Sequence, residues 1–170
     1  MLGVWNMQKA IDMEQIRNDY EAFVKGRKSF ILSFVDSEGK PFSSTAAFVQ
    51  VNGKFYVYVS RIAEHYQLLE QSQIVDVLCV ADQAVTQNHF ATERARWQCT
   101  PKNLGNEGHE EVFAAFDEVH TANMMKLLRT LDFSLFELTP VKGRYVVGFG
   151  KAFDIDFAED TLTHVVIDKK

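Results

Sequence analysis

Phe55-Tyr56-Val57-Tyr58-Val59-Ser60-Arg61-Ile62-Ala63-Glu64-His65-Tyr66-Gln67-Leu68-Leu69 reads as a strand running straight into a helix. Residues 55–59 are all aromatic or β-branched, which suits a pleated sheet. Ser60 breaks the run, and its side chain is suited to cap a helix. Ile62, Tyr66 and Leu69 then recur at spacings of four and three, giving the next turns one apolar face. The junction is therefore predicted to offer free N–H groups, a hydroxyl, Arg61 and nearby His65. Such a combination at a helix start suits an anionic group, phosphate or carboxylate. An ordinary strand-to-helix connection with a solvated arginine has the same local pattern, so the rest of the chain decides.

Upstream, residues 12–26 have a helical pattern with Ile16, Tyr20, Phe23 and Val24 on one face. Asp12 is its cap and Gly26 its exit. Phe30 to Val35 alternates as a strand, and the turn Asp36-Ser37-Glu38-Gly39-Lys40 leads to a second strand over 42–51. Ser43, Thr45, Ala47 and Val49 share one face of it. Asn52-Gly53 tolerates the positive φ of a type I′ hairpin turn. Three strands joined by short turns are antiparallel, because parallel pairing needs long crossovers.

Downstream, Ile74 to Ala81 is a fourth strand. Residues 92–100 alternate, with Arg94, Arg96 and Gln98 on one face and Ala95, Trp97 and Cys99 on the other. An arginine-lined face looks to water, a partner or an anion. Pro101 to Gly108 reads as a loop and 109–131 as a helical hairpin or broken helix. His109 and His120 share no metal-binding face. Phe133 to Leu138 and 144–153 read as two strands around a turn at Pro140 to Gly143, with Gly148 and Gly150 on one face of the second. Residues 160–170 read as a short strand or a helix end. Six or seven antiparallel strands with flanking helices close into a small barrel. Exposed arginine and aromatic strands point to a dimer.

Composition narrows the function. The 170 residues suit one domain, and 46% hydrophobic with 24% charged residues is ordinary globular usage. A net charge of −5 argues against a dedicated nucleic-acid binder. No run reaches the length of a membrane span, and Met1 to Asn6 lacks the features of a signal peptide, so the expected location is cytoplasmic. Cys79 and Cys99 form neither a Cys-x-x-Cys pair nor a zinc motif. Hydrolase and phosphate-loop motifs are absent.

Four signatures in order resemble the split β-barrel of the pyridoxamine-phosphate-oxidase-like flavin proteins, and within it the HugZ/HutZ haem-utilisation group. They are Val57 to His65, Phe90-Ala91-Thr92-Glu93-Arg94, Asp132 to Leu138, and Val147-Gly148-Phe149-Gly150-Lys151-Ala152. The resemblance implies a single α+β domain over 1–170: an N-terminal helix at about 12–26, a six- to seven-stranded antiparallel split barrel at about 29–155 and a tail at 156–170. It implies a homodimer with cofactor sites at the interface. The cofactor is haem or FMN. Ser60, Arg61 and His65 match the flavin-phosphate junction, with Arg94 and Trp97 near it. In the haem-degrading members a histidine near the C-terminus binds the iron, and an aspartate of the other subunit, matched by Asp132, orients it. Asp168-Lys169-Lys170 holds no Gly-His motif, so His164 is the expected iron ligand and cofactor contact. Thr92 stands where the family pattern has an arginine.

Three functions follow: haem binding with oxygen-dependent ring opening that frees iron, FMN-dependent oxidoreduction of a small molecule, or ligand binding without turnover. The first is favoured.

Overall fold

Residues 55–59 are apolar without alternation because their strand is buried on both faces. This is seen in a computed structural model that describes residues 10–166. The strand, β3 (Lys54–Ser60), turns Phe55, Val57 and Val59 into the barrel core, while Tyr56 and Tyr58 lie under a pair of helices. A strand covered on both sides reads as a continuous hydrophobic run.

β1 (Ser29–Val35), β2 (Pro41–Val51) and β3 form the antiparallel meander. The helix α2 (Glu64–Gln71) follows, then β4 (Val75–Val80), a 3-10 turn at His89–Ala91 and β5 (Arg94–Gly105). Helices α3 (Glu110–His120) and α4 (Ala122–Leu128) precede β6 (Phe133–Gly148), β7 (Lys151–Asp156) and β8 (Thr161–His164). Strand order is β3-β2-β1-β4-β5-β6-β7-β8, and β3 also pairs with β6. That last pairing closes six antiparallel strands into a barrel, with β7 and β8 as an extension. The antiparallel split barrel with flanking helices agrees with the sequence reading. The helix α1 (Met13–Lys25), capped by Asp12 at 3.1 Å to the Glu14 and Gln15 amides, adds Ile16, Phe23 and Val24 to the core.

The barrel is split on one side. Only Phe48 to Val51 of β2 pair with β3, while residues 41–47 pair with β1 alone. β2 and β3 therefore diverge beside the segment leading into α2.

Three element boundaries differ from the sequence reading, and prolines account for two. β5 continues through Pro101 to Gly105, and β6 is one sixteen-residue strand that passes through Pro140. β4 pairs with β5 only as far as Cys99. β3 pairs with β6 up to Leu138, and β7 takes over from Lys142. Both prolines thus sit where a strand has a neighbour on one side only, so the missing N–H leaves no ladder bond broken. The third difference is at 144–153. Gly148 and Gly150 do not share a strand face, because β6 ends at Gly148 and Gly150 (φ +66°) makes the turn into β7.

The 109–131 segment is a broken helix. Thr121 separates α3 from α4 with φ 75° and ψ 132°, an unusual conformation for a β-branched residue. Val112, Phe113, Phe116 and Met125 of this pair cover Val49, Tyr56, Tyr58 and Leu135 on the outside of the barrel. The C-terminal segment is strand at Thr161–His164, and the reading of Ile167 and of Met1 to Asn6 lies outside the described residues. Among the described residues no helix is long and apolar enough to cross a membrane.

Candidate functional site

The end of β3 is tied to the start of β6. Ser60 Oγ donates to Asp132 Oδ1 at 3.0 Å, and the Arg61 amide donates to the Asp132 carbonyl at 2.9 Å. Arg61 Nε reaches the hydroxyl of buried Ser134 at 3.4 Å. Asp132 therefore has a partner within its own chain.

Because Ser60 Oγ is held there, it does not cap the helix. α2 begins at Glu64, with Ala63 at the cap position and no side-chain cap. The Arg61, Ile62 and Ala63 amides are engaged by the Asp132 carbonyl, Ser60 Oγ (3.4 Å) and the Ser60 carbonyl (3.1 Å). The expected row of free amides is thus absent at these three positions. The junction's capacity for an anion resides in the exposed Arg61 guanidinium, whose two terminal nitrogens have no partner among the described residues. A guanidinium fork matches carboxylate and phosphate alike.

One turn on, His65 Nδ1 lies 2.8 Å from Ser44 Oγ of β2. This contact bridges the split between β2 and β3. Burial holds the imidazole below the ordinary histidine range, which favours the neutral ring. Tyr66 anchors the same helix through Asn103 Nδ2 at 3.1 Å and an edge contact with Phe136 at 5.3 Å.

The other predicted site residues lie elsewhere. Trp97 is fully buried in the barrel core, its Nε1 donating to Tyr20 Oη at 2.9 Å. Alternation along β5 puts it on the face opposite Arg94, Arg96 and Gln98. Arg94 is exposed and donates to the Thr92 carbonyl at 2.9 Å. His164 Nε2 contacts the Gly150 carbonyl at 2.9 Å, and its ring lies against Phe153. Arg94 and Phe153 pair with Val146 and Tyr145 of β6, whereas Ser60 pairs with Phe133. From Phe133 to Tyr145 is twelve residues, roughly 40 Å of strand path. Within one chain, Ser60, Arg61 and Asp132 thus stand at one end of β6, and Arg94 and His164 at the other.

Two neighbours of the candidate site residues were missed in the sequence, Ser44 beside His65 and Ser134 beside Arg61. Each is a hydroxyl set among Phe42, Ala46 and Phe48 or Leu135 and Phe136, so a polar residue within an apolar strand pattern was the available signal. One surface cleft of 580 Å³ lies between the end of β1, the end of α2 and β4, and another of 440 Å³ runs along β5 to β8; neither is lined by Ser60, Arg61, His65 or Asp132. Among the described residues no group of three or more His, Cys, Asp or Glu side chains is placed to chelate a bare ion.

No family model matches the chain. It is 28% identical over 155 residues to the heme oxygenase HutZ of Vibrio cholerae, covering 88% of each chain. The crystal structure of HutZ, described as a heme storage protein, superposes with a TM-score of 0.67 over 72% of this chain and 88% of that one. The chain is a split barrel that is similar to HutZ in both sequence and fold. Campylobacter jejuni ChuZ superposes at a TM-score of 0.84 with 23% identity, over 94% of this chain and 67% of ChuZ. A Clostridium acetobutylicum protein of the pyridoxinephosphate oxidase family superposes at 0.64 with 14% identity, over 89% of this chain and all of that one. That likeness is one of fold, the split barrel.

Proposed function

We propose that this HugZ/HutZ-type barrel binds haem at the Arg61–Asp132 junction, as a homodimer, and opens the ring oxidatively to release iron. The observation that carries the reading is the similarity to HutZ along 88% of both chains. The junction chemistry fits. Arg61 presents unpartnered guanidinium nitrogens to a propionate, and the Ser60–Asp132 bond fixes the backbone from which Arg61 projects.

Haem bound here would supply an iron that activates dioxygen against its own ring, given an electron donor. The chain's part is to bind, orient and shield. Arg61 anchors the anionic edge, Asp132 holds the strand end through Ser60, and Tyr66 and Leu69 secure α2 behind the site. The dimer is supported by exposed Ile62, next to Arg61 in the chain, and by exposed Phe90 and Phe149, 89%, 90% and 70% accessible. Side chains this apolar and accessible favour a covered surface. A second copy would bring its Arg94–His164 end to the Arg61–Asp132 end of the first.

The test is titration of the purified protein with haem and, separately, with FMN, followed by absorption, with molar mass from light scattering. Saturable haem binding by a dimer, weakened at least tenfold in Arg61→Ala, is expected. Saturable FMN binding with no haem response would establish the flavin reading instead, which the oxidase-like fold and the Arg61 fork also accommodate. Haem-loaded protein given dioxygen and ascorbate should lose its haem band and yield free iron, whereas a stable band would mark a binding module.

A further inference from the structure

Haem iron needs a nitrogen, sulfur or oxygen donor, and a histidine serves best when one ring nitrogen is held and the other is left with its lone pair. His65 meets that description. Its Nδ1 lies 2.8 Å from Ser44 Oγ, and its Nε2 has no partner among the described residues. We propose that His65 is the chain's nitrogen donor to the haem iron and that Ser44 is the positioning residue that fixes its ring. This rests on the haem reading above.

Geometry supports the assignment. Ser44 lies on a barrel strand and His65 in the first turn of α2, so the contact joins two regular elements rather than two loops. Arg61 is four residues earlier on the same segment, which puts the propionate anchor and the donor in one short stretch.

The remaining histidines are less suited. His120 Nε2 contacts the Phe48 carbonyl at 2.9 Å, and His164 Nε2 the Gly150 carbonyl at 2.9 Å. Each keeps only Nδ1, the nitrogen closer to its own main chain. His109 precedes α3 in a left-handed conformation, and His89 sits in the 3-10 turn before β5. Neither has a side-chain hydrogen bond that orients its ring among the described residues.

In this arrangement Nδ1–H would donate to Ser44 Oγ, leaving the Nε2 lone pair for the metal. Ser44 touches no cofactor and acts only through His65.

The experiment loads the full chain with haem and reads the ferrous iron–histidine stretch by resonance Raman, with affinity from absorption titration. It compares wild type with His65→Ala, Ser44→Ala and His164→Ala, each checked for folding by circular dichroism. Loss of the stretch in His65→Ala alone, its return in His65→Gly with added imidazole, and roughly tenfold weaker binding with a shifted stretch in Ser44→Ala support the proposal. An unchanged stretch in His65→Ala, or its loss in His164→Ala with retention in His65→Ala, overturns it while leaving haem binding intact. If His65→Ala does not fold, an unshifted stretch in Ser44→Ala overturns the positioning role, and His65→Gln replaces the alanine variant for the donor. Failure of wild type to bind haem removes the reading on which the proposal rests and the proposal with it.

Discussion

Ser60 Oγ and Asp132 Oδ1, 3.0 Å apart, fasten the last residue of β3 to the residue before β6. The Arg61 amide, bonded to the Asp132 carbonyl, reinforces the same contact from the main chain. The two residues are 72 positions apart in sequence, and their contact sets the point from which Arg61 leaves the barrel.

Ser60→Ala and Asp132→Ala should each lower stability by about 1 kcal/mol, the usual net worth of such a bond. The double variant should cost less than the sum, because each single change already removes the shared bond. Urea denaturation of the four proteins measures the coupling, and strict additivity would show that the bond contributes nothing in solution.

Trp97 and Tyr20 give a second prediction. Tyr20→Phe leaves the Trp97 indole N–H without its acceptor in the barrel core, at a cost of about 1–3 kcal/mol. Chemical denaturation midpoints test this. An unchanged midpoint would mean that another acceptor or a water replaces the phenol.

The same tyrosine predicts a fall in stability at high pH. Burial pushes the Tyr20 phenol up from 10.0 to about 12, against a smaller lowering by its bond from Trp97. The folded value lies above the unfolded one, so the unfolded chain releases this proton first. The Tyr20 contribution is complete below pH 10 and is lost as pH rises from 10 through about 12. Tyr20→Phe should show a shallower decline over that window, and equal slopes would rule the group out as a cause.

Gly143 is constrained by contact rather than by backbone conformation. A Cβ there would lie 2.8 Å from the Arg96 carbonyl and 2.8 Å from Trp97 Cδ1. Both neighbours are fixed, one as backbone and one as a core side chain. Gly143→Ala should therefore cost about 1–3 kcal/mol through overpacking and lower the melting temperature by several degrees. A melting curve that coincides with wild type would show that the β5–β6 pair relaxes freely.

At Thr121 the prediction has the opposite sign. Its φ of 75° in the break between α3 and α4 is strained for a side chain branched at Cβ. Thr121→Gly should stabilise by about 1 kcal/mol and Thr121→Ala by less. If glycine destabilises, the threonine makes a compensating interaction in solution.

Local sequence determined much of this molecule. The unbroken run Phe55 to Val59, the Asn52-Gly53 turn and the alternation of Arg94, Arg96 and Gln98 with Ala95, Trp97 and Cys99 report periodicity and turn geometry, which depend only on near neighbours. They were enough for an antiparallel barrel, and the ordered signatures were enough to point to its similarity to HutZ. The prolines misled for a physical reason: whether Pro101 or Pro140 breaks a strand depends on what lies on its far side, and that neighbour comes from another part of the chain. The site was legible only in part. Ser60, Arg61 and Asp132 were named from their signatures, but only folding bonds Ser60 to Asp132, sets Ser44 against His65, buries Trp97 in the core and places His164 at the far end of β6. Pattern fixes which face a residue occupies. Which distant side chain meets it there is set by strand order and register, and these come from the closure of β3 on β6.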